Sequence, residues 1–243
     1  MLPTLQVGPA ALQTSGLILL VGLWLGLTLA ERFAPLRQVS ASQVYNLFMT
    51  ALLAGLIGGR LAYALRYPAA FAQSPLSLIS PNPGLFSLTD GLIVALLAAW
   101  IYAYRKQMPL WAALDAFTPF FMVLLIAVGL AHTASGAAFG SETTLPWGIE
   151  LWGAARHPSQ IYETLAAAAI LLVLLPQRKA IADLPPGAYF LAFVSLSAAA
   201  RLFLEAFRGD SLLLPGGLRL AQIIAWLVLA AALYGFSRLA RDR

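Results

Sequence analysis

Apolar residues in this chain neither alternate nor keep to one helical stripe; they run on, separated by short polar interruptions. Windows such as Ile170 to Leu175 and Ile223 to Leu233 are apolar all round. A membrane β-barrel would instead show segments of about ten residues alternating apolar and polar, so the pattern predicts helices. The interruptions place them near 15–31, 41–65, 88–104, 112–137, 159–176, 187–207 and 218–237. A bilayer crossing takes about 20 apolar residues. The expected fold is therefore an all-α integral membrane bundle of about seven transmembrane helices, a single transmembrane domain over 1–243.

Composition sharpens this picture. The chain is 60% hydrophobic and only 10% charged, against roughly a quarter charged in a soluble domain, which leaves no length for a soluble domain beside the spans. With no cysteine, disulfides and thiolate metal sites are excluded, and two histidines without close spacing argue against a structural metal. The net charge of +5 raises the question of nucleic acid, but the basic residues sit at helix ends and not in one patch. They are a topology signal, and no nucleic-acid partner is expected. Arg32, Arg37, Arg105, Lys106, Arg178, Lys179, Arg238, Arg241 and Arg243 fall on one side, nine of the fifteen basic residues. Arg66, Arg156, Arg208 and Arg219 fall on the other. The positive-inside rule then puts the N-terminus outside and the C-terminus in the cytoplasm.

Residues 1–14 carry no Lys or Arg, and positive charge follows the first apolar run, so the first helix is expected to stay in the chain and not to be cleaved as a signal peptide. The longer loops, 66–87 and 138–158, fall outside. Trp147 and Trp152 in the second suit either interfacial anchors or a cover over a site. No internal repeat is apparent, which weakens a transporter built from inverted repeats.

An ionisable side chain within the bilayer normally faces the bundle interior and has a partner. Nine polar residues qualify: Arg60, Asp90, Asp115, His132, His157, Glu163, Arg201, Glu205 and Arg208. Under this topology eight of them lie toward the outer leaflet. Asp115, at the cytoplasmic start of a helix, suits that helix's dipole. Arg201, Glu205 and Arg208, at i, i+4 and i+7, share one helical face. They form either a self-neutralising cluster that joins helices or an anion site, since guanidinium forks match phosphate oxygens. Gly58-Gly59 before Arg60 predicts close helix approach, with the arginine in an interface or cavity. His157-Pro158-Ser159-Gln160 reads as a helix start, with Gln160 and Glu163 on one side.

These motifs together resemble the bacterial prolipoprotein diacylglyceryl transferase family over nearly the whole chain. Gly58-Gly59-Arg60-Leu61-Ala62-Tyr63 is similar to the family's Gly-Gly-Arg-x-x-Tyr, His157 to Glu163 matches His-Pro-Ser-Gln-x-Tyr-Glu in full, and Arg201 to Arg208 follows Arg-x-x-x-Glu-x-x-Arg. The resemblance implies a multi-pass protein of the bacterial plasma (inner) membrane. Its activity would be transfer of a diacylglyceryl group from phosphatidylglycerol to the lipobox cysteine of a preprolipoprotein signal peptide, without metal or cofactor. Membrane lipids would surround it. Arg60, Arg201 and Arg208 are the donors available to the departing phosphate. Glu205 would orient the arginines, and His157, Gln160 and Glu163 would line the headgroup pocket.

The chain also departs from the family pattern. Thr89-Asp90-Gly91 stands for His-Gly-Gly, Gly129-Leu130-Ala131-His132-Thr133-Ala134-Ser135-Gly136 stands for Gly-Arg-x-Gly-Asn-Phe-x-Asn, and Ser197 stands for a Tyr. Either Asp90 or His132 has taken over as thiol base, or the scaffold is an inactive relative that binds anionic phospholipid or the lipoprotein precursor. A small-solute transporter is the remaining alternative.

Overall fold

In lipid every backbone N–H and C=O needs an internal partner, and for continuous apolar runs the α-helix supplies it. The computed structural model of the protein describes residues 4–7, 10–80, 82–175 and 183–241. Its long helices are α1 (Thr14–Phe33), α2 (Ala41–Arg66), α4 (Leu88–Arg105), α5 (Leu110–Ser135), α6 (Ser159–Leu174), α7 (Ala188–Leu204) and α8 (Leu220–Arg241). A short α3 (Pro68–Gln73) and two hairpins, β1–β2 (Thr4–Val7, Ala10–Gln13) and β3–β4 (Ile149–Leu151, Ala154–Arg156), complete the regular elements considered below.

Six of the described helices are long and apolar enough to cross a membrane. The seventh expected span, α6, is apolar but has 16 residues, about 24 Å at 1.5 Å per residue. Its expected end at 176 lies outside the described residues, as do Arg178, Lys179 and Arg243. The chain is an all-α, multi-pass membrane bundle.

Local chemistry sets the helix ends. Ser40 opens α2 with a capping box, its hydroxyl accepting from Gln43 N while the Gln43 side chain accepts from Ser40 N. α5 starts after Pro109 and stops at Gly136, whose φ of 75° only glycine adopts without strain. That is two residues earlier at each end than the apolar pattern indicated, because the pattern does not see the left-handed stop. α7 tightens into a 3-10 turn at Glu205–Phe207, and Arg208 is extended. The expectation that Arg201, Glu205 and Arg208 share one helical face is thereby corrected: Arg208 lies beyond the helix.

α5 is the central column, packed by α1, α6 and α7; α2 pairs with α4, and α7 with α8. Between membrane helices, where lipid is as apolar as the side chains, close approach of small residues supplies the contact. A Cβ on Gly55 would lie 2.9 Å from that of Ala95, and one on Gly58 would lie 2.7 Å from Val94. Leu53, Leu96, Trp100, Leu172 and Trp226 point outward.

Asp115 is completely buried, and its role differs from the one expected. Oδ2 accepts from Gly187 N and Oδ1 from Phe190 N, both at 2.8 Å, so the carboxylate caps α7 and not its own helix. Arg37 closes on the same carboxylate and donates to Leu184 O at 3.0 Å. Arg37 is thus a buried partner and not one of the solvated charges counted for orientation.

Candidate lipid site where α5, α6 and α7 meet

The chain leaving α5 is fastened to the start of α6. Ser159 donates to Ala138 O at 2.7 Å and Gln160 Nε2 to Ala137 O at 3.0 Å. The helix start expected at this segment is present, with no side-chain cap on α6 among the described residues; the two polar groups satisfy the carbonyls of the α5 exit instead. Gln160 is 1% exposed, which explains a neutral amide inside an apolar boundary. The His157 ring packs edge-on against Phe207, 5.2 Å between centroids, and lies 6.2 Å from Tyr162. The same exit segment is laced to the chain after α7: Ser141 N donates to Phe207 O at 2.8 Å and Gly209 N to Phe139 O at 2.9 Å.

Those attachments bring an ion cluster together. Glu163 Oε1 accepts from Arg201 Nη1 at 2.6 Å and from Arg208 Nη1 at 2.9 Å. Arg201 Nη2 lies 2.7 Å from Glu205, whose other oxygen accepts from Ser211 at 2.6 Å. Arg208 folds back in a two-point fork onto Asp210, both bonds 2.8 Å. Burial alone would lower the Arg208 pKa, but its bonds and charge interactions with Asp210 and Glu163 outweigh that and raise it above the ordinary guanidinium value. Arg219 donates to Glu205 O, Arg208 O and the Ser211 hydroxyl at 2.9, 2.6 and 2.7 Å.

Asp210, Ser211 and Arg219 were not singled out from sequence as site residues. The available signal was Arg208-Gly209-Asp210, a carboxylate two residues from a guanidinium; a Cβ at Gly209 would lie 2.5 Å from Gly140 O, so glycine lets this segment lie against the α5 exit. Arg219 counted only as a loop charge. With them the cluster holds Arg201, Arg208 and Arg219 against Glu163, Glu205 and Asp210, neutral as it stands.

Beside it lies a cavity of about 550 Å³ between α5, α6, α7 and α8. Leu125, Val128, Ile170, Phe193, Val194 and Val228 make most of its wall apolar, while His132, Glu163, Ser197 and Arg201 stand in the same lining. Along each helix the polar lining residues sit toward one end, near the exits of α5 and α7 and the start of α6. The Arg201 side chain is 38% exposed, against 11% for Arg208, so Arg201 is the guanidinium open to a ligand. A Cβ at Gly129 would run into Thr164, which keeps α5 and α6 close at this level.

Two of the sequence candidates lie elsewhere. Arg60 fills its guanidinium with backbone carbonyls of the 74–85 loop: Ser77, Leu78, Asn82 and Leu85 at 2.7, 3.0, 3.1 and 2.6 Å, together with Ser80. It lines a separate cavity with Leu56, Ile57 and Phe86. Asp90 pairs with Arg66 at 2.8 Å and accepts from the Ser87 hydroxyl. Neither lines the cavity beside Arg201, so the structure does not bring Arg60 to the other arginines or Asp90 to His132. Trp147 and Trp152 are exposed, and their indoles donate to the Tyr162 hydroxyl at 2.8 Å and Gly136 O at 3.3 Å.

A sequence model of prolipoprotein diacylglyceryl transferases matches residues 3–238. The chain belongs to the prolipoprotein diacylglyceryl transferase family. Relatives named phosphatidylglycerol--prolipoprotein diacylglyceryl transferase include one from Nostoc, 28% identical over 96% of this chain and 87% of its own. One from Clostridioides difficile is 31% identical over 86% and 84%, and one from Coxiella burnetii 34% identical over 70% and 67%.

In this member of the family the segment 129–136 has turned its hydroxyls on its own helix, Thr133 donating to Gly129 O and Ser135 to Ala131 O, both at 2.9 Å. Ser197, one turn before Arg201, lines the cavity, and its buried hydroxyl has no hydrogen-bond partner among the described residues.

Proposed function

We propose that this chain transfers the diacylglyceryl group of phosphatidylglycerol to the lipobox cysteine of a preprolipoprotein signal peptide, at the outer face of the bacterial inner membrane. The N-terminus is outside and the C-terminus cytoplasmic. The observation that carries the reading is a mostly apolar cavity of about 550 Å³ with an accessible arginine toward one end. Acyl chains fit its wall, and a phosphate fits its polar end. Membership of the family supports the same chemistry.

In the reaction the cysteine sulfur attacks the glyceryl carbon that bears the phosphate ester. The carbon–oxygen bond breaks, its electron pair stays on oxygen, and glycerol phosphate departs. Negative charge therefore grows on phosphate oxygens, and a preorganised guanidinium in a water-poor site offsets it. Arg201 is placed for this role. Glu205, 1% exposed, holds Nη2 of Arg201, while Arg208 and Arg219 hold the carboxylates and carbonyls around it. Glu163 occupies the donors that a phosphate would take, so the lipid competes with Glu163 for Arg201. His157 and Gln160 act as positioning residues at the α5–α6 junction.

A second reading, a non-catalytic relative that binds anionic lipid, is favoured by Thr89, Leu130, Thr133, Gly136 and Ser197 standing where the family pattern has His, Arg, Asn, Asn and Tyr. One experiment separates the two. The purified protein is reconstituted in phosphatidylglycerol vesicles with a lipobox peptide, and the peptide is followed by mass spectrometry. A mass gain equal to one diacylglyceryl group, lost in Arg201→Ala, is the expected result. No mass gain with lipid still bound would sink the enzyme reading.

A further inference from the structure

We infer that His132 is the catalytic base of this chain, taking the proton of the attacking thiol. The inference rests on the transferase reading and deepens it. Three titratable side chains line the cavity: His132, Glu163 and Arg201. Arg201 is a cation and cannot accept a proton. Glu163 is already engaged, its Oε1 accepting hydrogen bonds from the guanidinium groups of Arg201 and Arg208. His132 remains. Its imidazole makes no hydrogen bond with any described residue, and its Nδ1 is buried without a partner.

Nδ1 is closed off, so the ring nitrogen that a thiol S–H can meet from the cavity is Nε2, which presents a lone pair when the ring proton sits on Nδ1. His132 stands three residues after Gly129, at the level where α5 touches Thr164 of α6. Thr133 and Ser135 bond their own helix, so among these three polar residues of the α5 exit His132 is the one left for the cavity. Asp90, the other acidic or basic candidate, is committed to Arg66 and Ser87 and lines no part of this cavity.

The S–H bond breaks and its proton goes to Nε2 of His132. The sulfur's electron pair forms the bond to the glyceryl carbon. The phosphate oxygen leaves with the former carbon–oxygen pair and takes the proton from imidazolium, which returns His132 to its starting state. The charges that face the imidazole are Glu163 from α6, Arg201 from α7, and Arg208 and Asp210 from the chain after α7.

A selenol is already ionised at neutral pH and needs no base. The test therefore compares a lipobox peptide carrying cysteine with the same peptide carrying selenocysteine, in phosphatidylglycerol vesicles, for the wild type, His132→Ala, His132→Gln and Asp90→Asn. A base contributes on the order of 100- to 10,000-fold. Both His132 variants should lose that much with cysteine and less than about tenfold with selenocysteine. Asp90→Asn should keep the wild-type ratio between the two peptides. Because the ratio is internal to each sample, partial loss of folded protein does not move it. With the cysteine peptide the His132→Gln rate should keep rising with pH toward the ordinary thiol pKa of about 8.5, because only thiolate formed in solution can then attack. An unchanged ratio in both His132 variants overturns the base, and a changed ratio in Asp90→Asn moves the role there. A wild type that modifies neither peptide overturns the transferase reading itself, and the base with it.

Discussion

Arg60 and Arg201 are both arginines within apolar helices, and they are used in opposite ways. Arg60 gives five hydrogen bonds to the carbonyls of one loop and makes no ion pair among the described residues. Its partners are neutral and covalently tethered, so they cannot leave. Arg201 bonds two carboxylates on flexible side chains and stays more than one-third exposed. A carboxylate can be displaced by another anion of similar geometry; a backbone carbonyl cannot without unfolding its loop. Cationic charge in a membrane helix therefore does not by itself mark a ligand site. The chemistry of its partners decides.

The sharpest way to break this contrast is Arg201→Ala, which should reduce diacylglyceryl transfer on the order of 100- to 1,000-fold in the vesicle assay while the protein still melts cooperatively. A comparable loss of fold would place Arg201 with Arg60. Next comes Arg60→Lys. One ammonium has three donors for five carbonyls, so protease cleavage within 74–85 should increase at least about tenfold, the factor that corresponds to losing some 1.4 kcal/mol of local stability; a resistant loop would mean that Arg60 is not its clamp. Glu163→Gln leaves Arg201 and Arg208 with one carboxylate fewer. The cluster becomes net positive, and retention of phosphatidylglycerol over phosphatidylcholine in native mass spectrometry should rise by up to about fivefold, the factor that corresponds to a charge interaction of about 1 kcal/mol. Equal retention would remove Glu163 as the competitor for the lipid. The smallest effect is expected from Ser211→Ala, which deletes one hydrogen bond to Glu205 and one from Arg219 and should lower stability by about 1 kcal/mol; a drop beyond about 3 kcal/mol would make it a keystone of the cluster.

The fold was legible because lipid imposes one simple rule, and apolar length reports it. α6 is described as Ser159–Leu174, and its expected end at 176 lies outside the described residues. Arg201, Glu205 and Glu163 were legible as a set because charges in apolar surroundings stand out. Arg60 was misplaced beside them because depth in the membrane says nothing about which neighbour a side chain meets, and backbone carbonyls, its actual partners, have no signature in sequence. Asp210, Ser211 and Arg219 were invisible for the complementary reason. They sit in a loop, where polar residues are ordinary, and gain meaning only from how the segment at Gly209 lies against the α5 exit. The Asp115 cap on α7 spans 72 residues and joins two helices that no local pattern relates.

That last contact has a consequence for biogenesis. Arg37 is made before Asp115, and Asp115 before the segment at 184–190 that both of them bind. When α5 leaves the insertion machinery, its carboxylate already has a cation waiting on an earlier segment, so the charge can enter lipid neutralised. α7 arrives later and finds two amides at its start, Gly187 N and Phe190 N, facing a fixed acceptor. The order of residues along the chain thus matches an order of assembly in which Asp115 does not enter lipid without its cation.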